Sequence, residues 1–189
     1  MDIISGLIDI KKGMLYINNK DITKINKSSL VQQINYNMQS FIPINSTIKN
    51  NISLFRSFDD PIETICKQFF VYEDIIRLPQ KFETRISSDT TILSGGQKQK
   101  LGFCRSFLKT RSLNILDDCF SAIDSATAHK IFDNVCRIND NSIFIIVTNY
   151  SHFLSKLDQI FILYKGTIID SGSHEKLLCK NNLYKNIIM

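Results

Sequence analysis

The chain has 189 residues, a formal net charge of +5, 43% hydrophobic and 22% charged residues, which suits one ordinary globular domain and argues against disorder. Its longest purely apolar run, Ile143–Val147, is far short of the ~18 residues of a membrane helix, and Met1–Gly13 lacks the basic-then-apolar pattern of a secretion signal. Five cysteines, odd in number and never spaced as Cys-x-x-Cys, speak against a disulfide framework or a zinc site, so the chain reads as soluble and intracellular. The basic excess is dispersed and does not establish nucleic-acid binding.

In chain order, Gly13–Ile22 reads as a strand and turn. Pro61–Leu78 reads as one helix, with Ile62, Ile65, Phe69, Ile75 and Ile76 as its apolar positions and Pro79 as its stop. Three continuous apolar runs, Ser112–Leu116, Ser142–Val147 and Gln159–Leu163, have the look of buried strands, the pattern of parallel strands covered on both faces. Between the first two lies Ser125–Arg137, where Ala126, Ile131, Val135 and Ile138 give a helical spacing. The order strand, helix, strand predicts an α/β layer with a parallel sheet.

Two motifs carry chemistry. Glycine is scarce, 7 in all, yet two stand together in Leu93-Ser94-Gly95-Gly96-Gln97-Lys98. Ser94 is a good helix N-cap, and a helix start with glycine amides and a nearby lysine can receive a phosphate. The same string also reads as a capped helix with glycines for packing. The second motif is Leu113-Asn-Ile-Leu-Asp117-Asp118, an apolar strand ending in two carboxylates. Such a position suits a Mg²⁺–phosphate ligand, with the second carboxylate orienting or deprotonating a water. A plain turn cap is the alternative. Asp124, in Ser121-Ala-Ile-Asp124-Ser125, is a natural helix cap in either reading.

Together these motifs resemble the ATP-binding cassette (ABC) ATPase domain. Leu93–Gln97 is similar to the family signature, Asp117 to the Walker B aspartate and Ser121–Asp124 to the D-loop. Gln39 falls where the Q-loop glutamine sits, and Asn45–Ile52, Leu78–Ile86, Asp158–Gly166 and Asp170–Leu178 resemble exporter segments in the same order. Lys130–Val135, Asp117-Asp118 and Ser151–Leu154 are similar to the first domain of multidrug-resistance-associated (C-type) transporters. The resemblance implies one domain over 1–189 with a P-loop-NTPase-like parallel sheet core. Residues 41–105 or so would form a helical subdomain with Q-loop and signature, with 1–40 and 106–189 as the remaining core. It implies ATP and Mg²⁺, the metal held by Gln39 and Asp117. Its partners would be a second nucleotide-binding domain, paired head to tail, and transmembrane transporter domains at the cytosolic face of a membrane, with Phe41–Leu78 facing them. No nucleic-acid partner is implied.

The sequence also departs from the family. It contains no G-x-x-x-x-G-K-[ST] string, and Ile4-Ser-Gly6-Leu7 aligns within the helix that follows a P-loop, so the front strands and P-loop are expected to be missing. Asp118 stands where Glu is usual, one methylene shorter, and Asn149 stands where the switch histidine is expected, an amide that takes up no proton near neutral pH. The resemblance assigns Ser94, Gly95, Gly96, Gln97 and Asp124 to work in trans, at a partner's nucleotide, and Asp118 and Asn149 to the chain's own chemistry. Whether the chain hydrolyses ATP itself stays open. The favoured expectation is a nucleotide-binding domain of an exporter, coupling ATP binding and hydrolysis to transport, that here donates its signature in trans. Against it stand an ordinary exporter ATPase domain whose upstream part is absent from this sequence, an inactive remnant, a regulatory subunit or a nucleic-acid-associated ABC protein.

Overall fold

A computed structural model describes residues 1–58, 61–89, 91–109, 111–138, 142–148 and 150–188. They fall into two units, Met1–Val147 and Thr148–Met189.

In the first unit, β1 (Tyr16–Ile17) and β2 (Lys20–Asp21) form a hairpin whose turn residues Asn18 and Asn19 both take positive φ, 50° and 61°, as a tight primed turn requires. Asp21 caps the 3-10 turn that follows, accepting from the Thr23 amide and hydroxyl. Helix α1 (Lys27–Gln33), capped by Asn26, leads into β3 (Ile34–Asn37). After β3 come β4 (Ser46–Thr47), α2 (Ile48–Ser53), α3 (Ile62–Gln68), α4 (Tyr72–Ile76) and β5 (Arg85–Ile86), with β4 and β5 paired antiparallel. The unit closes with α5 (Gly95–Phe107), β6 (Leu113–Asp117), α6 (Ser125–Ile138) and β7 (Ile143–Val147).

The central sheet has the order β3-β6-β7, all parallel, with Tyr36 opposite Ile115 and Asp117 opposite Val147. This is the parallel α/β layer expected from the sequence, with β6 as its middle strand. Ile115 and Leu116 are fully buried, whereas Ile143 and Val147 of β7 are 66% and 42% exposed, so that run is not covered on both faces. The face of α6 runs through Ala128, Ile131, Phe132 and Val135, all buried, while Ala126 points to solvent.

The predicted Pro61–Leu78 helix is two helices. Phe70 adopts φ 55°, and the Val71 amide reaches back to the Cys66 carbonyl at 3.0 Å, a reversal that ends α3. The break keeps Phe69, Val71 and Ile75 all at zero exposure. Phe69 stacks on Phe103 of α5 with centroids 5.5 Å apart, and Phe103 meets Phe120 at 5.0 Å, so aromatic rings join the helical layer to the segment after β6.

In the second unit, β8 (Ile160–Tyr164) and β9 (Thr167–Gly172) pair antiparallel around Lys165-Gly166, both at positive φ. The Gln159–Leu163 run is therefore not a buried parallel strand. A two-residue primed turn forces a hairpin, and Phe161 and Leu163 lie outward at 56% and 67% exposure. Helices α7 (His174–Lys180) and α8 (Asn182–Ile188) follow, with Leu177 and Tyr184 packed against Leu154, Ile160 and Ile162.

Candidate functional site

The start of α5 is built by a capping box. The Ser94 hydroxyl accepts from the Gln97 amide at 3.2 Å, and the Gln97 side-chain oxygen accepts from the Ser94 amide at 2.9 Å. Ser94 and Gly95 are exposed, and the amides of Gly95 and Gly96 belong to the first turn, which has no helical acceptor. The end is thus pre-set to meet an anion. Gly96 also has a packing reason: a Cβ there would stand 2.6 Å from the Ala122 carbonyl oxygen, whereas one on Gly95 would meet the Ala122 Cβ at 3.4 Å. The phosphate and packing readings of the two glycines are therefore compatible, and Ala122 lies directly on the helix start.

The carboxylates sit at the carboxyl end of β6. Asp117 accepts from the Tyr36 hydroxyl at 3.0 Å, and the same hydroxyl lies 2.7 Å from the Asp2 carboxylate. Burial and these two acceptors push the Tyr36 phenol upward. Asp118 takes φ 47°, a left-handed conformation that Asp tolerates better than most residues, and its carboxylate accepts from the Gln39 side-chain amide at 3.0 Å. Gln39 and Asp118, far apart in sequence, are thus brought together, with Asp117 as the chain neighbour of Asp118. Asp124 caps α6: its carboxylate accepts from the Thr127 amide at 2.9 Å, and this bond, with the Thr127 hydroxyl, holds its pKa below the usual value. Asn149 lies outside the described residues.

Oxygen donors from Asp117 and Gln39 suit a hard cation such as Mg²⁺, which takes one or two protein oxygens and fills its shell with phosphate and water. Among the described residues no three His, Cys, Asp or Glu side chains cluster as a metal cage. Cys104 and Cys119 are buried and pack, and burial raises both thiols.

Two residues escaped the sequence reading. Tyr36 touches Asp117, and its β-strand neighbours Asn35 and Asn37 are polar, which hides β3 from an apolar search. Gln99 is 7% exposed despite standing in a polar run, Gln97-Lys98-Gln99-Lys100, and only the fold reveals its burial.

A parallel α/β layer whose middle strand ends in paired carboxylates, beside a capped glycine-bearing helix, defines a nucleoside-triphosphatase-type fold. The comparisons agree. The family model described as "ABC transporter" matches residues 1–121. The chain is 32% identical over 192 residues to the multidrug resistance-like ATP-binding protein MdlA of Buchnera aphidicola, covering 99% of this chain and 33% of that protein. It is 30% identical over 178 residues to ATP-binding cassette sub-family B member 6 of Xenopus tropicalis, covering 93% of this chain and 21% of that protein. A solved bacterial Atm1-family ABC exporter with ATP bound superposes with a TM-score of 0.90 at 25% identity, over 98% of this chain and 33% of the solved one. The chain belongs to the ABC transporter family, in the manner of an exporter nucleotide-binding domain, and spans a third or less of the length of these relatives.

Proposed function

We propose that these 189 residues act as the signature-donating half of an exporter ATP site, completing a nucleotide held by a partner domain. The observation that carries this reading is the capped, exposed start of α5, with Ser94 and Gly95 open to solvent and the exposed Ala122 lying against Gly95 and Gly96. Ser94, Gly95, Gly96 and Gln97 would meet the partner's γ-phosphate, and Asp124, near the same end, would work in trans at the same nucleotide. The helix dipole and first-turn amides supply the anion-binding field there.

Gln39 and Asp117 would hold Mg²⁺ when it comes with a nucleotide, and Mg²⁺ would neutralise phosphate charge. Asp118 is a poor candidate for deprotonating water, because Gln39 occupies one of its oxygens and its side chain is short. Asn149, as an amide, could hold a phosphate oxygen but pass no proton. The Asp117-Asp118 pair supports C-type kinship, whereas the sub-family B relative shares similarity along 93% of the chain. Phe41–Leu78, within the helical subdomain, would face transmembrane domains at the cytosolic side of a membrane; among the described residues no helix is long and apolar enough to cross one.

The test mixes the chain with a complete ABC nucleotide-binding domain whose own signature serine is replaced by arginine. Mg²⁺-dependent ATP hydrolysis should appear only in the mixture, and Ser94→Arg in this chain should abolish it. Hydrolysis by the chain alone at the same rate would overturn the reading.

A further inference from the structure

We propose that Gln99 is a positioning residue that locks the start of α5, the Gln39 loop and the Asp118–Asp124 segment into one piece; this rests on the trans-acting site proposed above. Its side-chain nitrogen donates to the Gln39 carbonyl at 3.2 Å and to the Ser121 hydroxyl at 3.1 Å, and its side-chain oxygen accepts from the Ala122 amide at 2.9 Å. Both amide hydrogens and the carbonyl oxygen are therefore used. The amide has one workable orientation, because the Ala122 N–H only donates and the Gln39 carbonyl only accepts.

The bonds close a ring. Ser121 donates its hydroxyl to the Asp118 carbonyl at 3.0 Å, and Gln39 donates its side-chain amide to the Asp118 carboxylate at 3.0 Å. Gln99, Ser121, Asp118 and Gln39 thus form a circuit through three segments that the sequence holds far apart. Ala122 extends it, since its amide is held by Gln99 while its carbonyl lies against Gly96. Because Gln99 is buried, water does not substitute readily for these partners, and a lost donor or acceptor is felt by the whole circuit. A shift in Ser121–Ala122 would move both the surface under Gly96 and the lead-in to Asp124, the groups assigned to the partner's nucleotide. An error of about 1 Å in such a site costs about 100-fold in rate.

The experiment compares the full chain with Gln99→Met, which keeps the volume and removes every bond, and Gln99→Glu, which keeps the acceptor and removes the donors. Amide hydrogen exchange is read at Ala122, with the β6 amides Ile115 and Leu116 as a fold control. Gln99→Met should speed exchange at Ala122 about tenfold with β6 unchanged, and Gln99→Glu should leave Ala122 protected. In the partner mixture both variants should lower kcat at least tenfold with KM for ATP within twofold, which a general loss of folded protein would not do in the presence of intact β6 protection. Unchanged Ala122 exchange in Gln99→Met, or wild-type kcat in either variant, overturns the proposal. If the unaltered chain fails to stimulate the partner, the trans site falls and Ala122 exchange alone decides the role of Gln99.

Discussion

Gly96→Ala sets two effects of opposite sign against each other. Gly96 lies in the first turn of α5, where replacing glycine by alanine ordinarily stabilises a helix by about 0.5–1 kcal/mol through backbone entropy. Here the new Cβ would lie 2.6 Å from the Ala122 carbonyl oxygen. An ordinary contact starts at about 3.4 Å, so helix and loop must part by about 0.8 Å, and the obstacle is backbone rather than a flexible side-chain tip. Ala122 has little freedom to yield because Gln99 holds its amide at 2.9 Å. Overpacking of this kind costs about 1–3 kcal/mol, and setting the helical gain against it leaves a net loss of up to about 2.5 kcal/mol, centred near about 1 kcal/mol. Gly95→Ala is the internal control: its Cβ meets the Ala122 Cβ at 3.4 Å, an ordinary contact, so it should be neutral or stabilising by up to about 1 kcal/mol. Urea unfolding of both variants reads the difference as a change in midpoint. Gly96→Ala at or above the stability of the unaltered chain would refute the packing argument.

Other outcomes follow from the same contacts. Asn51 is fully buried; its side chain accepts from the Ile44 amide and Arg105 and donates to the Ile44 and Thr47 carbonyls, so Asn51→Ala should lower urea stability by about 2–4 kcal/mol. Arg105 also donates to the Asn51 and Ile42 carbonyls, and burial lowers its guanidinium to about 10, still charged at neutral pH. Phe103→Ala removes a fully buried ring between Phe69, Phe107 and Phe120 and should cost about 3–5 kcal/mol in the same assay. Asp124 is held below its ordinary value of 3.8, first by the Thr127 amide and also by Lys100. Its stabilisation is therefore complete above that value and lost as pH falls through the lower folded one. The stability gap between the unaltered chain and Asp124→Asn should shrink between pH 6 and pH 3, and a constant gap would refute the assignment.

The parts of the fold that a sequence reader recovers are those written in hydrophobicity and caps. Leu113–Asp117 and Ile143–Val147 are apolar without interruption, and Ser94 with Gln97 spells a capping box. Strand β3 is written in another code. Asn35 stands opposite Asn114 in the register, and its side-chain amide donates to the Asn114 side-chain oxygen at 2.9 Å and to the Lys109 carbonyl at 3.1 Å, so a buried polar pair replaces an apolar one. The break at Phe70 is hidden because the apolar spacing continues through it, and a positive φ at Phe leaves no mark in composition. The site divides along the same line. Ser94–Gln97, Asp117, Asp118 and Asp124 announce themselves by motif and Gln39 by resemblance, whereas Tyr36 and Gln99 act through tertiary bonds that no local pattern encodes.

The most direct measurement of the central claim is a stoichiometry. The chain is mixed with a partner domain that binds but does not hydrolyse ATP, and bound nucleotide per complex is counted after separation by size. A signature donor predicts one ATP per heterodimer, a complex that Ser94→Arg prevents, and no ATP on the chain by itself. Two ATP per heterodimer, or ATP retained by the isolated chain, would contradict it.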